Sequence, residues 1–168
     1  MKLLMAALLA AGASAHAAPN AQVLTVDGIG PVRIGMTMAT VEKVIGGKLE
    51  GQAIESDDIC VEKVSKAGPR NLVYMFEDGK LTRISLGEDS KFETPRGIGI
   101  GATAAEVRRA YGPKLIAEPH TYEEPPGEFL TFWIVPGKRG ISFETDKTRK
   151  VRVIHAGTNA IQYIEGCA

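Results

Sequence analysis

The chain has 168 residues, 20 of them basic and 20 acidic, with 44% hydrophobic and only 6% aromatic content. That balance lacks the basic surplus that a nucleic-acid partner demands, and no block of like charge marks a tail or a membrane-surface patch. A single domain of this size buries roughly 68–70% of its unfolded surface, so it needs no metal to hold a core.

The chain opens on Met1-Lys2, an apolar run from Leu3 to Ala11, and small residues ending Ala15-His16-Ala17. A short basic start, an apolar middle and an A-x-A ending predict a secretory signal peptide over residues 1–17, cut after Ala17 or alternatively after Ala15. The apolar run is too short for a membrane anchor, which takes about 20 residues. No cysteine near the cut offers a lipid attachment point. The expected mature protein is soluble, carries 19 basic against 20 acidic residues for a net charge of −1, and resides in the periplasm or outside the cell.

Laid on itself at an offset of 66, the remainder repeats. Ile34, Gly35, Thr37, Ala39, Val41 and Gly46 recur as Ile100, Gly101, Thr103, Ala105, Val107 and Gly112, six matches in thirteen columns. Self-similarity of this kind points to duplicated structural units, here a first repeat over 18–92 and a second over 93–168. In each, a threonine precedes an apolar-periodic segment, the arrangement of a helix N-cap. Thr103 and Glu106 add a capping box, and Met36 and Val41 stand at the positions of a hydrophobic staple. Gly46 and Gly112 suit a C-terminal cap, and Pro113 forbids continuation. The spacing predicts helices over 38–45 and 104–111, each too short to persist without a sheet beneath it.

After each helix come strands, read over 59–63, 72–77 and 80–86 and again over 128–135, 140–145 and 151–155. Asp78-Gly79 supplies a hairpin turn. Phe76-Glu77 aligns with Phe143-Glu144, and Ser85-Leu86-Gly87 with His155-Ala156-Gly157. A last apolar stretch over 160–164 leads to Cys167. The predicted class is α+β, two tandem copies of a short helix followed by antiparallel sheet.

Cys60 and Cys167 are the two cysteines. In an exported protein an even count favours a disulfide. A bridge closing a loop of about 100 residues stabilises by up to about 4.7 kcal/mol in the chain-entropy model.

The motif Gly35-Met36-Thr37 with Val41 and Gly46, and its second copy Gly101, Thr103, Glu106, Val107 and Gly112, resembles the repeat of beta-lactamase inhibitory proteins. It equally resembles the small lipoprotein of the outer-membrane barrel assembly machine. The resemblance covers the two helical motifs and, by pattern, the strands. It implies a short helix packed on antiparallel sheet, single in the lipoprotein and tandem in the inhibitor. The tandem arrangement is the more similar. Two departures stand out: there is no lipid-attachment cysteine, and one long-range cysteine pair replaces a disulfide within each repeat. No inhibitory contact residue finds a counterpart, so none is carried over.

Catalytic chemistry has few candidates. His120 lies in a proline-bracketed acidic loop with Glu123 and Glu124. Adjacent glutamates point apart and no second histidine stands nearby, so the loop reads as solvated rather than metal-binding. His155 ends a strand without a G-x-S-x-G elbow or an H-E-x-x-H helix to employ it, and Ser85 and Ser142 are nominal nucleophiles at most. Gly97-Ile98-Gly99-Ile100-Gly101 lacks the order of a phosphate loop. No cofactor is implied. The strand over 129–135 is apolar on both faces, so it is covered twice or offers one face to a partner. Trp133, Phe129, Tyr74 and Tyr122 are the expected anchors on the open face of a tandem sheet. The expected function is a non-enzymatic binding module of the cell envelope with another exported protein as partner, an enzyme that it inhibits being one form. The alternatives are an envelope assembly factor, or a small hydrolase using His120 or His155 in a cleft between the repeats.

Overall fold

The computed structural model describes residues 23–51, 59–66 and 71–167; the leader expected over residues 1–17 lies outside them. Both threonine-led segments are helical, α1 over Met38–Ile45 and α2 over Ala104–Tyr111. The Thr37 hydroxyl accepts from the Thr40 N–H and the Thr103 hydroxyl from the Glu106 N–H. Glu106 returns a bond from its carboxylate to the Thr103 N–H at 2.7 Å, closing the capping box. Gly46 ends α1 at φ 73° and ψ 28°, the left-handed conformation that a Cβ disfavours. Gly112 shares the positive φ, but its ψ is −160° because Pro113 excludes helical ψ from the residue before it.

Three two-residue strands, β1 (Leu24–Thr25), β2 (Gly28–Ile29) and β3 (Val32–Arg33), form a small meander ahead of α1. The main sheet holds β4 (Leu49–Glu50), β5 (Cys60–Ser65), β6 (Leu72–Glu77), β7 (Lys80–Leu86), β8 (Ile116–Pro119), β9 (Glu128–Val135), β10 (Arg139–Thr145) and β11 (Val151–Gly157). Their order is β4-β5-β6-β7-β11-β10-β9-β8, and the pairs are antiparallel throughout. The protein is therefore α+β. Each unit runs inward from an outer edge, so the last strand of one lies against the last strand of the other.

The two units meet equivalent surroundings. The Gly35 N–H donates to the Leu81 carbonyl at 2.7 Å and the Gly101 N–H to the Val151 carbonyl at 2.8 Å. Leu81 and Val151 return bonds to the carbonyls of Met36 and Ala102, both at 2.8 Å. A register slip falls between Met75 and Phe76 against β7, and another between Glu144 and Thr145 against β11. A pseudo-twofold axis relates the halves through the β7·β11 pair. There Ser85 stands opposite His155, the residue with which it aligns in the duplication.

Both helices pack on one face of the sheet. Val41 and Val107 are fully buried among Leu72, Tyr74, Phe76, Leu81, Ile84, Leu86, Leu130, Phe143 and Ile154. Tyr111 joins the units' aromatic contacts, its ring 5.2 Å from Phe132 and 5.0 Å from Phe143. Phe132 rather than Trp133 is the β9 aromatic that packs against this core. Strand β8 was not expected: its four residues are all exposed, so they carry no alternation to read.

Tyr74 corrects the expectation of a surface anchor. It sits on the helix side of β6 with no exposed area, pointing away from the open face. Its hydroxyl finds no hydrogen-bond partner among the described residues, and burial pushes its pKa up to about 12. A buried hydroxyl without a partner keeps its desolvation cost uncompensated. Tyr74→Phe should therefore leave stability unchanged or raise it by about 1 kcal/mol, whereas Tyr74→Ala should cost about 3–5 kcal/mol, both read from urea unfolding. A marked loss with phenylalanine would show that the hydroxyl is bonded in the folded protein.

Candidate functional site

The opposite face of the sheet carries polar side chains brought into one row by cross-strand register. Glu62 stands opposite Met75, Met75 opposite Arg83, Ser85 opposite His155, His155 opposite Ser142, and Ser142 opposite Thr131. Glu144 and Phe129 face each other one step along. A C-terminal strap crosses this row. It begins as a 3₁₀ turn over Asn159–Gln162, capped by the Thr158 hydroxyl, and ends at Cys167. Its Ala160 and Ile161 are buried.

Two attachments hold the strap. Cys167 bridges to Cys60 on β5 across a separation of 107 positions, as the sequence suggests. Arg83, only 3% exposed, donates from Nη1 to the carbonyls of Ala160 at 3.0 Å and Tyr163 at 2.7 Å. Its Nη2 meets Glu62 Oε1 at 2.6 Å, so the buried charge is paired. Gly140 lets the strap and β9 close in, because a Cβ there would stand 2.7 Å from the Trp133 ring and 3.1 Å from Ile161.

Beneath the strap runs a hydrogen-bonded chain. Ser85 Oγ lies 2.7 Å from His155 Nδ1, and His155 Nε2 lies 2.7 Å from Glu144 Oε1. An ionised carboxylate only accepts, so Nε2 carries the proton and Nδ1 accepts from the Ser85 hydroxyl. Burial works to raise the Glu144 pKa, but the His155 bond and the charges of both histidines hold it below the ordinary range. For His155, burial outweighs the opposing pull of Glu144 and holds the imidazole below its usual value. His120 completes the row. Its Nδ1 accepts from the backbone N–H groups of Tyr122 and Glu123, both at 3.0 Å. That leaves the proton on Nε2, 3.6 Å from Glu144 Oε2, an electrostatic contact rather than a hydrogen bond. The His120 ring stacks on Phe129 at 4.3 Å. Its side chain is only 9% exposed: the loop beyond it is exposed, as the sequence suggests, but the ring is turned in.

The polarity from serine through imidazole to carboxylate is that of an activated nucleophile. Among the described residues, the surroundings of Ser85 differ from those of such a nucleophile. Ser85 sits mid-strand with its backbone engaged between β6 and β11, so its N–H is not free for an oxyanion. Ser85 and His155 are 6% and 7% exposed. The cavity under the strap, about 90 Å³, is lined by Phe129, Thr131, Ser142, Glu144 and strap residues but by neither of them. Among the described residues no group of three His, Cys, Asp or Glu is placed to hold a metal ion, and no helix is long and apolar enough to cross a membrane.

The other expected anchors gather at one end of this face. Trp133 is half-buried over Gly140, Phe129 is half-buried against His120, and Tyr122 is 65% exposed with its hydroxyl bonded to Glu165 of the strap. Arg83 and Glu62 were not anticipated, although the alignment of Ser85 with His155 could have located the axis once these strands were taken as partners.

Replacing both Cys60 and Cys167 by serine should lower stability by about 2–4 kcal/mol in thermal or urea unfolding. It should also loosen the strap over Trp133, the chain's one tryptophan, giving a red shift in emission; unchanged emission would place the strap's hold in Arg83 alone. Acid should destabilise the fold in two steps. Between about pH 6.5 and the lower folded value of His155, the unfolded chain binds a proton that the folded chain refuses, so stability falls with pH. Glu144, whose folded pKa is also depressed, acts in the same direction below about pH 4.3. His155→Asn should flatten the upper step in urea titrations between about pH 7.5 and pH 5; an undiminished slope there would assign the step elsewhere.

No known protein family, characterised protein or solved structure matches the chain, so the chemistry of this face has to follow from its own geometry.

Proposed function

We propose that the chain is an exported, non-enzymatic binding module of the cell envelope whose partner is another exported protein. The observation that carries this reading is the sealing of Ser85–His155–Glu144 beneath the strap, with the serine's backbone consumed by the sheet. Such a row acts as a satisfied buried network, which rigidifies a scaffold. The Cys60–Cys167 disulfide belongs to an oxidising compartment, in keeping with the leader read over residues 1–17. The resemblance to beta-lactamase inhibitory proteins supports an enzyme as partner, held on a tandem sheet.

Affinity capture from envelope extract under non-reducing conditions, using the mature chain as bait with chemical cross-linking, should recover a discrete exported protein. Recovery of nothing above background would remove the reading. The hydrolase alternative is favoured by the serine–imidazole–carboxylate polarity alone. A fluorophosphonate probe should leave Ser85 unlabelled in the folded protein; stoichiometric labelling lost in Ser85→Ala would reinstate the enzyme.

A further inference from the structure

On the helix side of the sheet, away from the strap, lies an apolar pit of about 260 Å³. Leu24, Tyr111, Phe132 and Ile141 line it, with Ile134 and Arg96 among the residues around it. The floor is core, yet Ile134 is 59% exposed, a large apolar side chain with no covering. The Arg96 guanidinium is fixed rather than free. It lies 4.6 Å from the Tyr111 ring centroid and 4.8 Å from that of Phe132, and Nη1 donates to the Ala110 carbonyl at 2.8 Å. That is its only hydrogen bond among the described residues, so further donors of a planar fork remain for an incoming acceptor. The neighbouring Asp27 is paired with Arg139 at 3.0 Å, which leaves the rim electropositive.

We propose that this pit receives the C-terminal residue of a partner polypeptide, its apolar side chain against Ile134 and Phe132 and its α-carboxylate on Arg96. The proposal rests on the binding-module reading and deepens it. Size and spacing choose the occupant. The volume lies below the roughly 300–1,000 Å³ of drug-sized ligand sites, which suits one large side chain better than an acyl chain. The guanidinium sits against the rings that wall the pit, so apolar group and carboxylate must be close together. In an extended segment, neighbouring side chains point to opposite faces; only a chain terminus places a carboxylate beside the apolar side chain of the same residue. Carboxylate capture at a polypeptide end is an established recognition mode, and a preorganised arginine fork gives it bidentate geometry.

The test is methyl and amide NMR of the full mature protein titrated with acetyl-Ala-Ala-Phe as the free acid, as its carboxamide, and with decanoate. The acid should shift the Ile134 and Ile141 methyls saturably, and the carboxamide should bind about tenfold more weakly or worse. Arg96→Lys keeps the charge but not the fork, so it should weaken the acid about tenfold and leave the carboxamide unchanged. Ile134→Asp, at an exposed position that spares the core, should abolish binding with the thermal melt intact. Equal affinity for acid and carboxamide, shifts centred on Trp133 and Phe129, tighter binding of decanoate than of the peptide, or no shift at millimolar peptide would each overturn the site. A captured partner whose affinity is unchanged by Ile134→Asp would overturn this site while leaving the binding-module reading in place.

Discussion

The pairing of β7 with β11 is the constraint from which the rest follows. Each unit alone ends in a long strand with an unpaired edge, and such edges invite association. Antiparallel pairing of the two last strands removes both edges at once and builds one sheet of eight strands. Because the strands are copies of one another, the pairing places a twofold axis between them. A residue on that axis meets its own duplicate. Here the two differ, serine in one unit and histidine in the other, and they hydrogen-bond at 2.7 Å.

The strap then changes what that bond means. An antiparallel sheet can leave one face in water, and the polar row from Glu62 to Thr131 suits such a face. Laying Ala160 and Ile161 across it buries the row, and every buried polar group must then find a partner. Both Arg83 Nη atoms do so, through two strap carbonyls and Glu62, while its Nε has no partner among the described residues; His155 does so between a hydroxyl and a carboxylate. The outcome has the connectivity of a catalytic triad and satisfies both ring nitrogens of His155. Among the described residues the Ser85 backbone is engaged by both neighbouring strands, and neither Ser85 nor His155 lines the cavity under the strap.

The two units share a skeleton and differ in what the skeleton presents. The threonine N-caps, the register slips and the loop-to-strand bonds recur in both units. Arg96 does not: at the offset of the duplication its counterpart is Gly30, so the first unit has no counterpart of the stacked guanidinium, and the pit beside it draws Leu24 from the first unit and Tyr111, Phe132 and Ile141 from the second. A duplicated fold supplies the rigidity, and the positions where the copies diverge are free to acquire specificity, since they are not needed twice for packing.

The sequence by itself determined the duplication, both helices with their caps, six of the eight main strands, the α+β class and the cysteine partnership. Those features are written in local spacing: a threonine before an apolar period, a glycine after it, alternation along strands, and a count of two cysteines. Only the tertiary structure decided that the halves join through β7 and β11, that Tyr74 faces inward, that His120 folds onto Phe129, and that the last residues strap the polar face. Strands β4 and β8 escaped notice because two and four residues carry too short a period to register. His155 and Ser85 were legible as candidates, but Glu62, Arg83 and Glu144 escaped because the groups they bond to lie elsewhere along the chain. They become neighbours through cross-strand register, a property of pairing between segments that no single segment encodes.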